Sequence, residues 1–322
     1  MRTITLEEHY VTPAFLNGPG REMKESPGHF SQGDDLLKKL LDIGEGRVRE
    51  MDAAGIDVQV LSLTYPGVQQ LEAAEAVKLA RETNDYLAAA VKRHPGRFAG
   101  FVVLPAAAPD KAADELERMV KEHGFVAGYV NGHTNGRYLD DKFFSPLLER
   151  AEALKVPIYI HPTMPPKPVV DAYYSGFGDV TPLLARAGWG WHIETAVHVL
   201  RMVVGGAFDR FPGLQVIIGH MGEGIPFMLP RINKTLTPQI TKLDRPAGDY
   251  FRENVYYTFS GFNFTQTFLD LFLEVGADRI MFSADYPYGS MTQARAFLDR
   301  IPVSPADRER IAHGNAERLL RI

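Results

Sequence analysis

The sequence predicts an α/β fold, a (β/α)8 barrel of the TIM type, from three observations. Eight short runs rich in apolar and β-branched residues recur along the chain, and helical patterns fill the gaps between them. Ionisable residues gather where those runs end. Strands that are apolar throughout argue for a parallel sheet covered on both faces, and eight such units argue for closure into a barrel. An open doubly wound sheet is the alternative, but no G-x-G-x-x-G follows the first strand. The expectation is one barrel domain over residues 1–322.

The strands read in order as TITLEEH (3–9), DVQVLSL (57–63), FAGFVVLP (98–105), FVAGYVNG (125–132), VPIYIHP (156–162), QVIIGHMG (215–222), NVYYTFSG (254–261) and RIMFSADYP (279–287). Between them, 35–55, 72–96 and 109–124 carry helical spacing, and several of these stretches close on a glycine that suits a helix C-terminus. In 143–155, Phe144, Leu147, Leu148, Ala151 and Leu154 form one face, with Glu149, Arg150 and Glu152 opposite. Two segments exceed an ordinary connection: a Gly/Pro-rich loop at 10–34 after the first strand, and an insertion at 163–190 after the fifth. Both follow the C-terminal end of a strand, where barrel active sites lie.

Composition removes other classes. A net charge of −5 gives no reason to expect nucleic acid or an anionic membrane as partner. No apolar run approaches a membrane span of roughly 20 residues, and the N-terminus lacks the apolar segment of a signal peptide. With no cysteine there are no disulfides or thiolate metal sites, and cytoplasm is the default location.

The chemistry is carried by strand ends. Glu7 and His9 end the first strand, His161 the fifth, His220 the sixth with Glu223 just beyond, and Asp285 the eighth. In a barrel these positions converge on one mouth. Glu7 and His9 are two apart and share a face of their strand. Glu7, His9, His161 and Asp285 make an N2O2 set for one divalent ion, zinc or manganese. His220 and Glu223 remain for acid–base work or for supporting the ligands. Glu8 faces the outer layer. His192, Glu194 and His198 share a helical segment whose plain reading is a helix surface, though His192 could face the mouth. His29, His94, His123, His133 and His313 fall in loops or helix ends and read as solvated.

At these residues the chain resembles a known family. E-E-H on the first strand, H-P on the fifth, G-H-M-G-E-G on the sixth and S-A-D-Y-P on the eighth resemble the amidohydrolase superfamily. The subgroup is that of aminocarboxymuconate-semialdehyde decarboxylase and its relatives. The Glu7-x-His9 pair, in place of H-x-H, is similar to the γ-resorcylate, 2,3-dihydroxybenzoate and 5-carboxyvanillate decarboxylases. A fourth strand ending Val130-Asn131-Gly132, without the bridging lysine of binuclear members, implies a single metal.

The resemblance implies that Glu7, His9, His161 and Asp285 are metal ligands, that Asn131 lies near the substrate, and that His220 and Glu223 pair beside the metal. It implies that Arg231, in PFMLPRINK, reaches a neighbouring subunit's site in a homodimer or homotetramer; the plain reading is a helix-surface cation. The implied activity is metal-dependent, non-oxidative decarboxylation of an ortho-hydroxylated aromatic acid, with Asp285 delivering a proton and no organic cofactor. Tyr286 stands where relatives commonly have Trp, which leaves the particular acid open. The alternatives are a metal-dependent hydrolase or hydratase on the same scaffold and a barrel that only binds.

Overall fold

A computed structural model describes residues 1–25 and 33–322. His29 and part of the 10–34 loop lie outside the described residues. Among those described, eight strands run in chain order around one parallel sheet: β1 (Ile4–Tyr10), β2 (Val58–Leu63), β3 (Phe98–Val103), β4 (Ala127–Asn131), β5 (Ile158–His161), β6 (Val216–Ile218), β7 (Val255–Thr258) and β8 (Ile280–Met281). The circle closes between β8 and β1 through a Leu6–Ser283 bridge and a hydrogen bond from the Leu6 amide to the Phe282 carbonyl at 3.2 Å. The strands are buried along their whole length, as their apolar runs require.

Two cores result. The barrel interior holds Ile4, Leu6, Val60, Phe101, Tyr129, Tyr159, Ile217 and Met281, with Ala316 and Leu320 of the last helix, Asn315–Leu320, packed against them. The rings of Phe101, Tyr129 and Tyr159 lie 5.3–5.9 Å apart inside it. The second core lies between the strands and the helices around them; Leu79, Leu87, Leu116, Leu147 and Leu148 belong to it. Burying each such side chain contributes about 1.5–3 kcal/mol. Gly55 and Gly124 end their helices at φ 71° and 68°, the left-handed turn that a glycine adopts without strain.

Three expectations shift. The 35–55 stretch is two helices, Gly33–Leu41 and Glu45–Ala54, because the Asp42 side chain accepts the Gly44 amide at 3.0 Å and turns the chain between them. The sixth strand stops at Ile218, where a 3-10 turn, His220–Gly222, begins; His220, Met221 and Glu223 have φ of 49°, 54° and 57°, outside any strand conformation. The eighth is a strand only over Ile280–Met281, with one further bridge at Ser283, and Asp285 follows at φ 59°. The insertion folds as short helical turns that lead into the helix Gly190–Val204. No helix among the described residues is long and apolar enough to cross a membrane.

Candidate active site

The strand ends meet at a cavity of about 540 Å³, a size suited to a small-molecule ligand. Its floor is His9, His161, His220 and Asp285. Thr64, Tyr65 and Tyr288 form one wall; Leu183, Arg186, Trp191 and their neighbours from the insertion form the other.

Glu7 reaches the floor through a local distortion. The β1–β2 register shifts between Thr5 and Glu8, and Glu7 sits at φ 63°. A non-glycine residue in that region costs about 1–3 kcal/mol and persists where its surroundings fix it. Here Tyr159 and Ser260 both donate to Oε2 of Glu7. Tyr159 is also 2.9 Å from the Thr258 hydroxyl. Oε1 is left buried with no hydrogen-bond partner, 3.4 Å from Nε2 of His161.

His161 donates from Nδ1 to the Pro162 carbonyl at 2.7 Å, since a carbonyl can only accept. Its Nε2 lone pair therefore faces Glu7. Burial, reinforced by His9 and His220, holds the imidazole well below its ordinary pKa and hence neutral. His9 sets Nδ1 3.3 Å from the Ser62 hydroxyl. Its buried Nε2 has no hydrogen-bond partner and lies 3.1 Å from Oδ1 of Asp285.

These residues fit a divalent cation. Glu7, His9 and His161 each offer a ligand atom, and these atoms all lie within 4.8 Å of one another. Two of them, Glu7 Oε1 and His9 Nε2, are otherwise orphaned. Burial pushes the Glu7 carboxyl up; His220 and His9 oppose this and Asp285 reinforces it, and a bound cation would relieve it. Nitrogen and carboxylate donors suit zinc or manganese.

A second cluster adjoins the first. His220 donates from Nδ1 to Oε1 of Glu223 at 2.8 Å, leaving Nε2 for the cavity. Burial alone would lower this imidazole, but Glu223, then Glu7 and Asp285, outweigh it and hold it up at about 10. Burial raises Glu223, yet His220 and His192 bring it below the usual carboxylate range. Both directions favour an imidazolium–carboxylate pair in the ion-free site.

His192 corrects its plain reading as a helix surface. Its Nδ1 lies 2.6 Å from Oε2 of Glu223, and its Nε2 lies 3.0 Å from the Ala187 carbonyl in the insertion. Glu194 and His198 are buried too: Tyr138 donates to Glu194 at 2.5 Å, and the Leu139 amide donates to Nε2 of His198 at 3.0 Å. His133, expected to be solvated, is buried and accepts the Gly136 amide at 3.0 Å on Nδ1. His123 is exposed as expected; His94 and His313 are partly buried.

Asn131 ends β4 buried, its Oδ1 without a hydrogen-bond partner. Arg231 lies apart from the floor on the helix Ile225–Thr235, exposed, with exposed Phe227 and Met228 just before it. Glu8 turns away from the cavity into the outer layer, as expected, but is fully buried there. The sequence reading missed Tyr159, Ser260 and Trp191, and gave His192 only as a residue that could face the mouth. Of these, only Ser260, closing the apolar run of the seventh strand, carries a comparable signal.

The amidohydrolase family model matches residues 29–322. Gamma-resorcylate decarboxylase of Polaromonas sp. strain JS666 is 41% identical over 334 residues, covering 99% of this chain and 98% of that protein. A crystal structure of dihydroxybenzoic acid decarboxylase from Polaromonas sp. JS666, with bound manganese and the inhibitor 2-nitroresorcinol, matches with a TM-score of 0.91 at 40% identity, over 99% of this chain and 97% of that one. That of 5-carboxyvanillate decarboxylase from Sphingomonas paucimobilis matches with a TM-score of 0.91 at 34% identity, over 100% and 99%.

Proposed function

The chain belongs to the amidohydrolase family, and from that premise we propose that it is a metal-dependent carboxy-lyase removing CO2, without oxidation, from an ortho-hydroxylated aromatic acid of the dihydroxybenzoate type. The observation that carries this reading is the joint floor of the cavity. His9, His161, His220 and Asp285 line one space sized for a small ring, with the buried Glu7 carboxylate beside His9 and His161 and Glu223 paired to His220 behind it. The relatives named as gamma-resorcylate and 5-carboxyvanillate decarboxylases support it.

Glu7, His9, His161 and Asp285 would hold one divalent ion. The manganese of the related decarboxylase favours manganese over zinc. When bound, the ion supplies positive charge that steadies carboxylate and phenolate oxygens.

The chemistry has to avoid an aryl anion, so the carbon that bears the carboxylate is protonated before CO2 leaves. Asp285 takes the proton of the substrate's ortho hydroxyl, and the released oxygen pair feeds the ring. Asp285 then delivers the proton to that carbon, forming a C–H bond. The C–C bond to the carboxylate breaks, its electron pair returns to the ring, and the product oxygen regains a proton from solvent. His220, held charged by Glu223, presents an N–H to a substrate oxygen and fixes the ring's orientation. Asn131 offers its unpartnered Oδ1 near the same end of the barrel. Tyr65 from one wall and Trp191 and Leu183 from the other screen the ring from water. The sequence is redox-neutral and calls for no organic cofactor.

Assembly is part of the proposal. The helix Ile225–Thr235 begins two residues after Glu223 and exposes Phe227, Met228 and Arg231. A second copy covering that face would hide the two apolar side chains and bring Arg231 toward a neighbouring site, giving a homodimer or homotetramer.

The test is CO2 release from a panel of hydroxybenzoates with manganese or zinc supplied. Acids with an ortho hydroxyl are turned over, and isomers hydroxylated only at the meta position are inert. Comparable turnover of a meta-only isomer rejects the mechanism, and lactone or ester hydrolysis without CO2 release favours the hydrolase alternative.

A further inference from the structure

The floor of the cavity uses the first glutamate and the histidine of E-E-H; the second glutamate points the other way. Its carboxylate nevertheless has a specific partner. Oε1 of Glu8 accepts the Ala284 amide at 2.9 Å and Oε2 accepts the Tyr286 amide at 3.2 Å. The residue between those two amides is Asp285. Glu8 is fully buried, and Gln59 donates a third bond to Oε2 at 3.2 Å.

We propose that Glu8 is a positioning residue for Asp285, clamping the backbone on both sides of it so that its carboxylate is presented to the ion and the substrate. The inference rests on the reading of Asp285 as ligand and proton donor.

Three features of the segment make such a clamp necessary. Asp285 sits at φ 59°, a conformation that a side-chain-bearing residue keeps only where its surroundings impose it. The strand β8 ends at Met281 and its last bridge is at Ser283, so no ladder runs on over residues 284–286. Locally, the Gly289 amide donates to the Asp285 carbonyl at 2.6 Å and the Tyr286 hydroxyl to Glu50 at 3.0 Å; the remaining restraint comes from β1, where the Leu6 carbonyl accepts the Ser283 hydroxyl, the His9 amide donates to the Tyr286 carbonyl at 2.6 Å, and Glu8 takes the two amides on either side of Asp285. Glu7 and His9 on one face of β1, and Glu8 on the other, thus fix the ion site and the last strand to the same seven residues. Burial pushes the Glu8 carboxyl up to about 8, and the Ala284 and Tyr286 amides oppose this by favouring the carboxylate, each of whose oxygens can accept one backbone N–H along the chain direction.

Glu8→Gln is the discriminating change. The side chain keeps its shape but has only one accepting oxygen. Gln59 and the Tyr286 amide both donate to the Oε2 position, so the new NH2 falls opposite the Ala284 amide, donor against donor. The protein is loaded with cobalt(II), whose visible bands report ligand geometry, and compared with wild type and with Asp285→Asn. The expected result for Glu8→Gln is a kcat lower by about 10–100-fold, a KM within about twofold, and visible bands altered in the same sense as in Asp285→Asn. Should Glu8→Gln not fold, Gln59→Met replaces it. That change removes one donor to the same carboxylate oxygen and should lower kcat about threefold with a smaller band change of the same sign. Wild-type kcat and bands in the folded variant, beside an inactive Asp285→Asn, overturn the clamp while leaving the role of Asp285 intact. Full activity and unchanged bands in Asp285→Asn overturn that role and the clamp with it.

Discussion

Replacing Glu223 by Gln removes the charge that keeps His220 protonated. Glu223 takes a bond from His220 at 2.8 Å on one oxygen and lies 2.6 Å from Nδ1 of His192 on the other. The amide can accept on one side only, so one histidine loses its acceptor. Losing a charge-assisted bond of this kind costs about 1.5–3 kcal/mol, which in kcat/KM is a fall of about 10–150-fold. The pH profile carries the sharper test. His220 is held above its ordinary pKa, so chemistry that needs the imidazolium is kept at neutral pH and lost as pH rises through the raised value, about 10 in the ion-free site. A bound dication lowers that limit. In Glu223→Gln, burial acts without its largest opponent, and the basic limb moves toward acid. Stability follows the same signs. The His220 contribution is complete below the imidazole's ordinary 6.5 and fades as pH rises through the raised value. The Glu223 contribution is complete above the carboxyl's ordinary 4.5 and fades as pH falls through its lowered value. The pair therefore stabilises the fold most between those two values. The assay is initial-rate decarboxylation of an ortho-hydroxybenzoate across pH with metal held saturating, beside thermal unfolding at each pH. A variant with wild-type kcat/KM and an unmoved basic limb refutes the reasoning.

His161→Ala should abolish turnover and lower the metal content well below one ion per chain, as measured by elemental analysis of dialysed protein. His192→Asn should lower kcat less than Glu223→Gln does, by about 2–10-fold for one weakened hydrogen bond, and should shift the basic limb in the opposite direction or leave it in place. Its Glu223 charge then falls to His220 alone, and steady-state rates against pH decide it. Arg231→Ala should raise KM or lower kcat with the far-ultraviolet spectrum unchanged; sedimentation of wild type at assay dilution should show an assembly, and a fully active monomer contradicts the role given to the neighbouring copy.

Much of this was legible in the sequence because burial in a parallel barrel leaves little room for ionisable side chains. Where Glu7, His9, His161, His220 and Asp285 interrupt apolar runs, the interruption itself marks the site, and the structure brings the last four to one cavity floor with Glu7 beside His9 and His161. Element boundaries were less legible at the sixth and eighth strands. There the residues that carry the chemistry take left-handed backbone angles, and local propensity does not announce those. His192 stayed open because a helix faces two ways: its neighbours Trp191 and Glu194 read as an ordinary amphipathic surface, and only tertiary packing sets its Nδ1 against Glu223 and its Nε2 against the Ala187 carbonyl. Glu8 was placed correctly in the outer layer. Its partners, however, are backbone amides some 276 positions away along the chain, and a sequence offers no sign of which amides a carboxylate will meet.

The most direct test of the central claim is the reaction run in heavy water. The proton that Asp285 delivers to the carbon comes from an exchangeable hydroxyl, whereas hydrolysis places no proton on carbon. The product should then carry one deuteron at the ring position that held the carboxylate, and no other enzymatic label on carbon. Proton magnetic resonance and mass spectrometry of the phenol product read this without ambiguity. Product formed with no deuteron at that carbon contradicts the account, whatever metal the protein holds.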